Sequence, residues 1–378
     1  MKNELCETFG IEFPIFAFSH CRDVVAAVTN AGGMGVLGAL AFSDDQLELE
    51  LKWIDEHVDG KPYGVDVVMP VKTADREAGI DDVRDIGTKL REMVPQTHWD
   101  YVDKILADHG VDPDREPEEV AGRGPALSSG VLGWTSATGA PQIEIALGHD
   151  IALLASALGP PPKAAIDQAH AQGVQVAALI GRVEQAVRDV QQGVDLIIAQ
   201  GYEAGGHTGE VATMVLVPDV VDAVAPVPVL AAGGIGSGRQ MAAAMALGAQ
   251  GVWTGSIWLT VIENEAGPVV TEKLLAATST DTVRSRALTG KPARQLRTGW
   301  TDAWEAPDSP GPLPMPLQFL LNSYANRKMG RHAPRELVGM PVGQIVSRMN
   351  SVRTSKQVVF EMVEEYIDVT QRLAADLD

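Results

Sequence analysis

Eight short apolar runs, each separated from the next by room for a helix, constrain this 378-residue chain more than any other feature. They span Pro14 to Phe18, Gly35 to Ala39, Gly64 to Met69, Ile151 to Ala157, Val174 to Ile180, Val194 to Gln200, Val227 to Ala232 and Gln250 to Thr254. Runs that are continuously apolar rather than alternating belong to strands covered on both faces, and so to a parallel sheet. Helical stretches such as Val183 to Gln192 and Arg239 to Leu247 lie between them, closed by Gly193 and Gly248, the residue preferred just past a helix end. Eight such strand–helix units close most naturally into an α/β fold of the (β/α)8, or TIM barrel, type.

The spacing assigns residues 1–71 and 149–265 to the barrel. Between the third and fourth runs, residues 72–148 exceed what a crossover helix needs. Asp81 to Gly110 has helical patterning with Trp99 and Tyr101, whereas Ala121 to Gly139 is rich in Gly, Ser and Ala and includes Trp134. Loops after barrel strands rise from the catalytic face, so this insertion reads either as a lid or as a helical decoration or homodimer contact. Residues 266–378 form a predicted helical extension packed on the barrel. It contains an acid-free cationic stretch, Arg284, Arg286, Lys291, Arg294 and Arg297, then a proline-rich break from Pro307 to Pro316. Its last segment places Val359, Met362, Val363, Tyr366 and Ile367 at helical spacing, which predicts a terminal helix packed by one face.

A formal charge of -20 opposes binding to nucleic acid or an anionic membrane, both polyanions, and points to a small-molecule partner. The first residues carry acid and no long apolar core, and no apolar stretch is long enough to span a bilayer, so the expected location is cytoplasmic. Two cysteines, Cys6 and Cys21, exclude a disulfide framework or a multi-cysteine zinc site, and no metal centre is expected.

The chemistry concentrates after the sixth run, in Glu203-Ala204-Gly205-Gly206-His207-Thr208-Gly209. A buried strand ending in a glycine turn brings one imidazole close to backbone of almost no bulk, an arrangement suited to a planar cofactor. His57, His98, His109, His149, His170 and His332 sit among polar neighbours or on helical stretches and read as solvated, leaving His207 as the catalytic candidate. Glu203 lies four residues before it and could bind or orient. Gly233-Gly234 after the seventh run and Gly255-Ser256 after the eighth stand where such barrels commonly hold a phosphate, because glycine lets N–H groups converge. Gly33 to Gly38 matches G-x-G-x-x-G but runs into a strand rather than out of one, so it reads as a turn and not a dinucleotide fingerprint. The cationic stretch reads equally as a solvated strip or as a seat for an anionic group.

Gln200-Gly201-Tyr202-Glu203-Ala204-Gly205-Gly206-His207-Thr208-Gly209, Leu230 to Ile235, the Asn30 to Gly35 turn and Gly290-Lys291-Pro292-Ala293-Arg294 together resemble the nitronate monooxygenase family, formerly 2-nitropropane dioxygenases. Flavin-dependent enoyl reductases and a quinone reductase branch carry close versions of the E-A-G-G-H segment. The resemblance implies an FMN-dependent oxidoreductase that uses dioxygen to convert nitronates or nitroalkanes to a carbonyl compound and nitrite. It implies His207 as the base, Gln200 and Gly206 close to the flavin, and Gly233, Gly234, Gly255 and Ser256 on its phosphate. Asp66 stands where relatives usually have Asn, and Ala17-Phe18-Ser19-His20 replaces Ala-Pro-Met, so Asp66, Ala17 and Phe18 also fall in the implied cofactor pocket. Met315-Pro316-Leu317-Gln318 is similar to a stretch in one nitronate-oxidising branch. An NAD(P)H-dependent reductase of quinones or enoyl thioesters on the same scaffold, and a flavin-binding protein without turnover, remain the alternatives.

Overall fold

The computed structural model describes residues 3–68, 86–112, 114–116 and 136–376. Eight parallel strands close into a barrel: β1 (Ile15–Ser19), β2 (Met34–Gly38), β3 (Gly64–Val68), β4 (Leu153–Ala157), β5 (Gln175–Ile180), β6 (Leu196–Gln200), β8 (Val229–Ala232) and β9 (Gly251–Thr254). β9 returns to β1 through Ile15↔Val252 and Ala17↔Thr254. Each predicted run overlaps its strand, with ends differing by a residue or two, where local patterning is least informative.

Period-two alternation sorts the strand residues into two apolar layers. Phe16, Val36, Leu153, Ala155, Ile198, Leu230 and Trp253 fill the barrel interior. Ile15, Ala17, Leu37, Val65, Leu154 and Ala231 point outward and pack against the surrounding helices. The interior is plugged from below by the short helix Glu4–Phe9, whose Leu5, Cys6 and Phe9 join it, Phe9 meeting Phe16 edge-on at 5.5 Å. Asn3 caps that helix and also donates its side-chain N–H to Gln250 O, just before β9, which fixes the plug to the strands' N-terminal ends. Only the C-terminal mouth is left for a site.

A second core covers part of that mouth. Val68 at the end of β3, with Leu40, Ala157 and Leu158 beyond β2 and β4, packs with Leu90, Val102, Leu106, Trp300, Trp304 and Leu321. The insertion's helix Gln96–Asp108 lies on the extension's helix Leu317–Met329, with Trp99 edge-on to Tyr324 at 5.2 Å. Tyr101 meets Trp304 at 5.3 Å and donates its hydroxyl to Ala303 O at 2.6 Å. Insertion and extension thus share one apolar body. His98, expected in solvent, is buried there, with Nε2 3.2 Å from Gly311 O. The helix Ser136–Ala146, near the end of the insertion by sequence, sends Ile143 and Ala146 into the barrel's outer layer, joined by Leu147 just after it. Residues 69–85 and 117–135, including Trp134, lie outside the described residues.

The extension is not purely helical. Thr282–Ser285 (β10) and Ala293–Leu296 (β11) form an antiparallel hairpin, which adds the two-residue strand Gly206–His207 (β7) as a third strand. The terminal helix Ser355–Ala375 buries Val359, Met362 and Val363 as the periodicity predicts, and Val358 beside them, while Ile367, expected on that face, turns outward and is exposed. Among the described residues, no helix is long and apolar enough to cross a membrane. Both cysteines are buried and free.

Candidate active site

The glycine turn after β6 is held from three directions. On one side β11 pairs with β7 through Ala293↔His207 and Arg294↔Gly206. Behind it, residues 342–344 pass so close that a Cβ on Gly205 would lie 2.8 Å from Gly343 N, and Gln344 N donates to Glu203 O at 2.9 Å. At its two shoulders sit the arginines of the cationic stretch. Arg294 Nε donates to Tyr202 O at 3.2 Å, and Arg284 donates to Thr208 Oγ1 and Thr208 O, both at 3.1 Å. Both guanidinium groups lie over the Tyr202 ring, at 4.6 Å and 5.4 Å. At these two positions the acid-free run is not a solvated strip: it clamps the turn that carries His207, while Arg294 Nη2 is buried without a hydrogen-bond partner among the described residues.

Glu203 is a brace as well. Its Oε2 accepts from Thr213 N at 3.0 Å and Thr213 Oγ1 at 2.9 Å, and the same hydroxyl lies 3.1 Å from Gly233 O. The carboxylate thus ties the His207 turn to the glycine turn after β8 rather than acting on the imidazole.

His207 Nε2 lies 2.7 Å from Thr289 Oγ1, supplied by the turn of the β10–β11 hairpin. That oxygen also accepts from Lys291 N and reaches Lys291 O, both at 3.3 Å. Rotation of one hydroxyl between Nε2 and the Lys291 carbonyl therefore decides which ring nitrogen carries the proton. Burial, and then the nearby charge of Lys291, lowers the pKa of His207 from 6.5 to about 4. The ring is neutral through the physiological range and a weaker base than an ordinary histidine. No sequence pattern marked Thr289, which lies 82 residues away.

The proposed phosphate cradle has suitable backbone. Gly233 and Gly234 adopt φ of 96° and 69°, open to glycine but strained for other residues, and none of the hydrogen bonds among described loop residues uses their N–H groups. Ser256 opens the 3-10 turn Ser256–Thr260 and its hydroxyl accepts from Gly343 N at 2.8 Å, leaving its own hydrogen to donate. Gly255 precedes it beneath Phe18, whose ring carbon lies 3.8 Å from where a Cβ would be.

Towards the middle of the mouth, Gln200 ends β6 on the register of the inward-pointing Leu196 and Ile198. Phe18 stacks on Trp253 at 6.0 Å and meets His20 edge-on at 5.1 Å. Ala17 points into the outer layer, so only its main chain faces the mouth. Gly206, at φ 75°, has open space where a side chain would be. Asp66 is buried, and its Oδ2 has no hydrogen-bond partner among the described residues. Burial raises its pKa from 3.8 to about 7. An orphaned buried acceptor near the C-terminal ends of the strands, the unused N–H groups of Gly233 and Gly234 and a neutral imidazole are chemically suited to a planar ligand bearing a phosphate.

Residues 2–365 match the nitronate monooxygenase family. The chain belongs to that family. As a nitronate monooxygenase family member it is an oxidoreductase. It is similar over 99% of its length, at 54% identity, to 98% of a Mycobacterium tuberculosis protein provisionally named a monooxygenase. Over 98% of its length it is 27% identical to 99% of a Staphylococcus aureus (strain Newman) protein named a probable nitronate monooxygenase. Among solved structures, nitroalkane oxidase from Streptomyces ansochromogenes superposes with a TM-score of 0.78 at 22% identity, covering 98% of this chain and all of that one (100%). FabK from Thermotoga maritima gives 0.73 at 25% identity, covering 99% of both chains. These two likenesses establish a shared fold, and the family match carries the chemistry.

Proposed function

We propose that this protein binds FMN across the barrel mouth and oxidises alkyl nitronates with dioxygen, giving a carbonyl compound and nitrite. The observation that carries the reading is the imidazole of His207, held by Thr289 and set beside Lys291 on a glycine turn that leaves open space at Gly206.

The phosphate of FMN is assigned to the N–H groups of Gly233, Gly234 and Gly255 and to Ser256, with Gln200, Gly206, Asp66, Phe18 and the main chain of Ala17 around the ring. When bound, the flavin supplies the electron transfer between substrate and dioxygen. The side chains supply position and proton control. His207 is too weakly basic to favour taking an α-proton from a neutral nitroalkane, whereas a neutral ring can donate one N–H to a nitronate oxygen while Thr289 donates to the other nitrogen. Lys291 adds positive charge next to that position, which favours an anion. Both effects support the nitronate over its conjugate acid as the species consumed, and they reduce the base role first assigned to His207. The reductase alternative draws less support from the cationic stretch, because Arg284 and Arg294 donate to the turn that carries His207.

Anaerobic mixing tests the reading. The purified protein should be yellow, its flavin should bleach on addition of a nitronate, and oxygen uptake should follow in air. Rapid bleaching by NADH or NADPH without nitronate would replace the oxidase reading with the reductase, and a protein that binds no flavin would overturn both.

A further inference from the structure

Asp66 is the sole ionisable side chain in the eight barrel strands. Its neighbours across the ladder are Gly38 on β2 and Ala155 on β4, and the place a side chain on Gly38 would fill is taken by the His20 ring, whose Cε1 and Nδ1 lie 2.6 Å from where that Cβ would be. It shares the inward register of Ala155, near the C-terminal ends of the strands, and its Oδ2 is buried without a partner among the described residues. An acceptor in that position calls for a ligand that brings its own donor.

We propose that Asp66 is held as a neutral carboxylic acid that pairs at two points with the imide edge of the bound flavin ring, its carbonyl accepting from the ring N–H and its hydroxyl donating to an adjacent ring carbonyl. The inference rests on the flavin reading above and deepens it. A carboxylic acid presents one acceptor and one donor side by side, as a primary amide does, and so complements an N–H next to a C=O. A carboxylate keeps the acceptor, loses the donor and sets a negative charge against the ring oxygen.

Among the described residues, the two strands that flank it carry no ionisable side chain. The main elements packed on β3 are β2, β4, the 3-10 turn Ala39–Ala41 and the helix Ser136–Ala146, and their one ionisable group is the exposed Glu144. Gln142 of that helix is neutral and donates to Ala39 O at 3.1 Å. From beyond β1, His20 places Nδ1 2.8 Å from the carbonyl oxygen of Gly38, the ladder neighbour of Asp66. Burial brings the carboxyl's titration to about pH 7, so acid and anion both lie within reach of ordinary conditions.

The test is a titration of deflavinated protein with FMN, followed by quenching of flavin fluorescence from about pH 5.5 to about pH 9. The wild-type dissociation constant should rise towards about tenfold per pH unit above the carboxyl's range, because binding then requires uptake of one proton. Asp66→Asn keeps both partners at every pH and should remove that slope, leaving only the shallow contribution of the FMN phosphate common to both proteins. An infrared spectrum of the wild-type complex at about pH 8 should retain a carboxylic-acid C=O band, a readout independent of the variant's folding. Equal slopes in both proteins, or no such band, would overturn the assignment of Asp66 while leaving flavin binding intact. Failure of both proteins to bind FMN at any pH would remove the cofactor reading and this inference with it.

Discussion

Thr289 Oγ1 stands 2.7 Å from His207 Nε2, and Ala293, four residues further on, pairs with His207 through the backbone. One hairpin of the extension therefore fixes both the main chain and the ring of the site's imidazole. The Thr289 hydroxyl comes from a turn that enters the chain after the barrel is complete.

Thr289→Val keeps the shape and removes the hydroxyl that contacts both His207 Nε2 and the Lys291 N–H. Turnover with a nitronate should fall about 10- to 100-fold, with most of the loss in kcat, because ring orientation matters more to reaction than to binding. Thr289→Ser should restore most of it. Steady-state oxygen uptake on the two variants checks this, and equal activity in Thr289→Val and wild type would show that the hydroxyl does not set the ring.

The depressed basicity of His207 has a consequence for acid stability. The unfolded chain protonates this ring near 6.5 and the folded chain near 4, so between those values the unfolded state binds more protons. Stability contributed by the neutral ring is fully present above pH 6.5 and is lost as pH falls through 4. His207→Gln should therefore show a shallower decline across that window, by about 1–2 kcal/mol after allowing for the ring's partial exposure. Denaturant midpoints measured at intervals across the window give the slope directly, and parallel curves would mean that the ring is not held neutral.

The barrel was legible because its signal is local and repeated: eight apolar runs, each followed by helical spacing, give the strand order without long-range information. The glycines at the ends of β6, β8 and β9 were legible for the same reason, since each follows its strand directly. The hairpin was hidden. Arg284, Arg294 and Lys291 read as a charge run because nothing in Thr282 to Leu296 announces that its partner strand is two residues long and lies at Gly206–His207. Glu203 read only as a group that could bind or orient, because sequence spacing fixes no distance, and the turn points its carboxylate at Thr213. The shared core of insertion and extension was equally beyond reach, because Tyr101 and Ala303 are 202 residues apart.

Two adjacent glycines of the turn should respond differently to alanine. A methyl group on Gly205 would press on Gly343 N and the Val342 backbone at 2.8 Å, atoms that cannot move without shifting the segment behind the turn. Gly206 has open space around its Cβ direction but a φ of 75°. Gly205→Ala should cost about 1–3 kcal/mol through overpacking, and Gly206→Ala about 1–2 kcal/mol through backbone strain. The clearer difference lies in function. Gly206→Ala projects its methyl into the open side of the site and should weaken flavin binding at unchanged helix content, whereas Gly205→Ala should lower thermal stability first. Flavin retention and melting temperature on the two proteins separate the effects, and identical profiles would mean that the open side at Gly206 is not the cofactor's side.

Asp66 should leave a trace on stability even before any ligand is added. Its carboxyl titrates near 3.8 unfolded and near 7 folded, so over that interval the native state holds the extra proton and stability falls as pH rises. The sign is opposite to that of His207, and the two windows meet between about pH 4 and about pH 6.5, where they partly cancel. Above pH 7 only the cost at Asp66 remains. Asp66→Asn removes it, and flavin-free variant protein at about pH 8 should be more stable than wild type by about 1–3 kcal/mol, below the ~4 kcal/mol ceiling set by the full shift. Near pH 4, where the wild-type carboxyl is already neutral, the two should melt within about a degree of one another. A stabilisation of the same size at both pH values would trace the gain to packing, and a loss at pH 8 would mean that the carboxylate is satisfied in the folded protein.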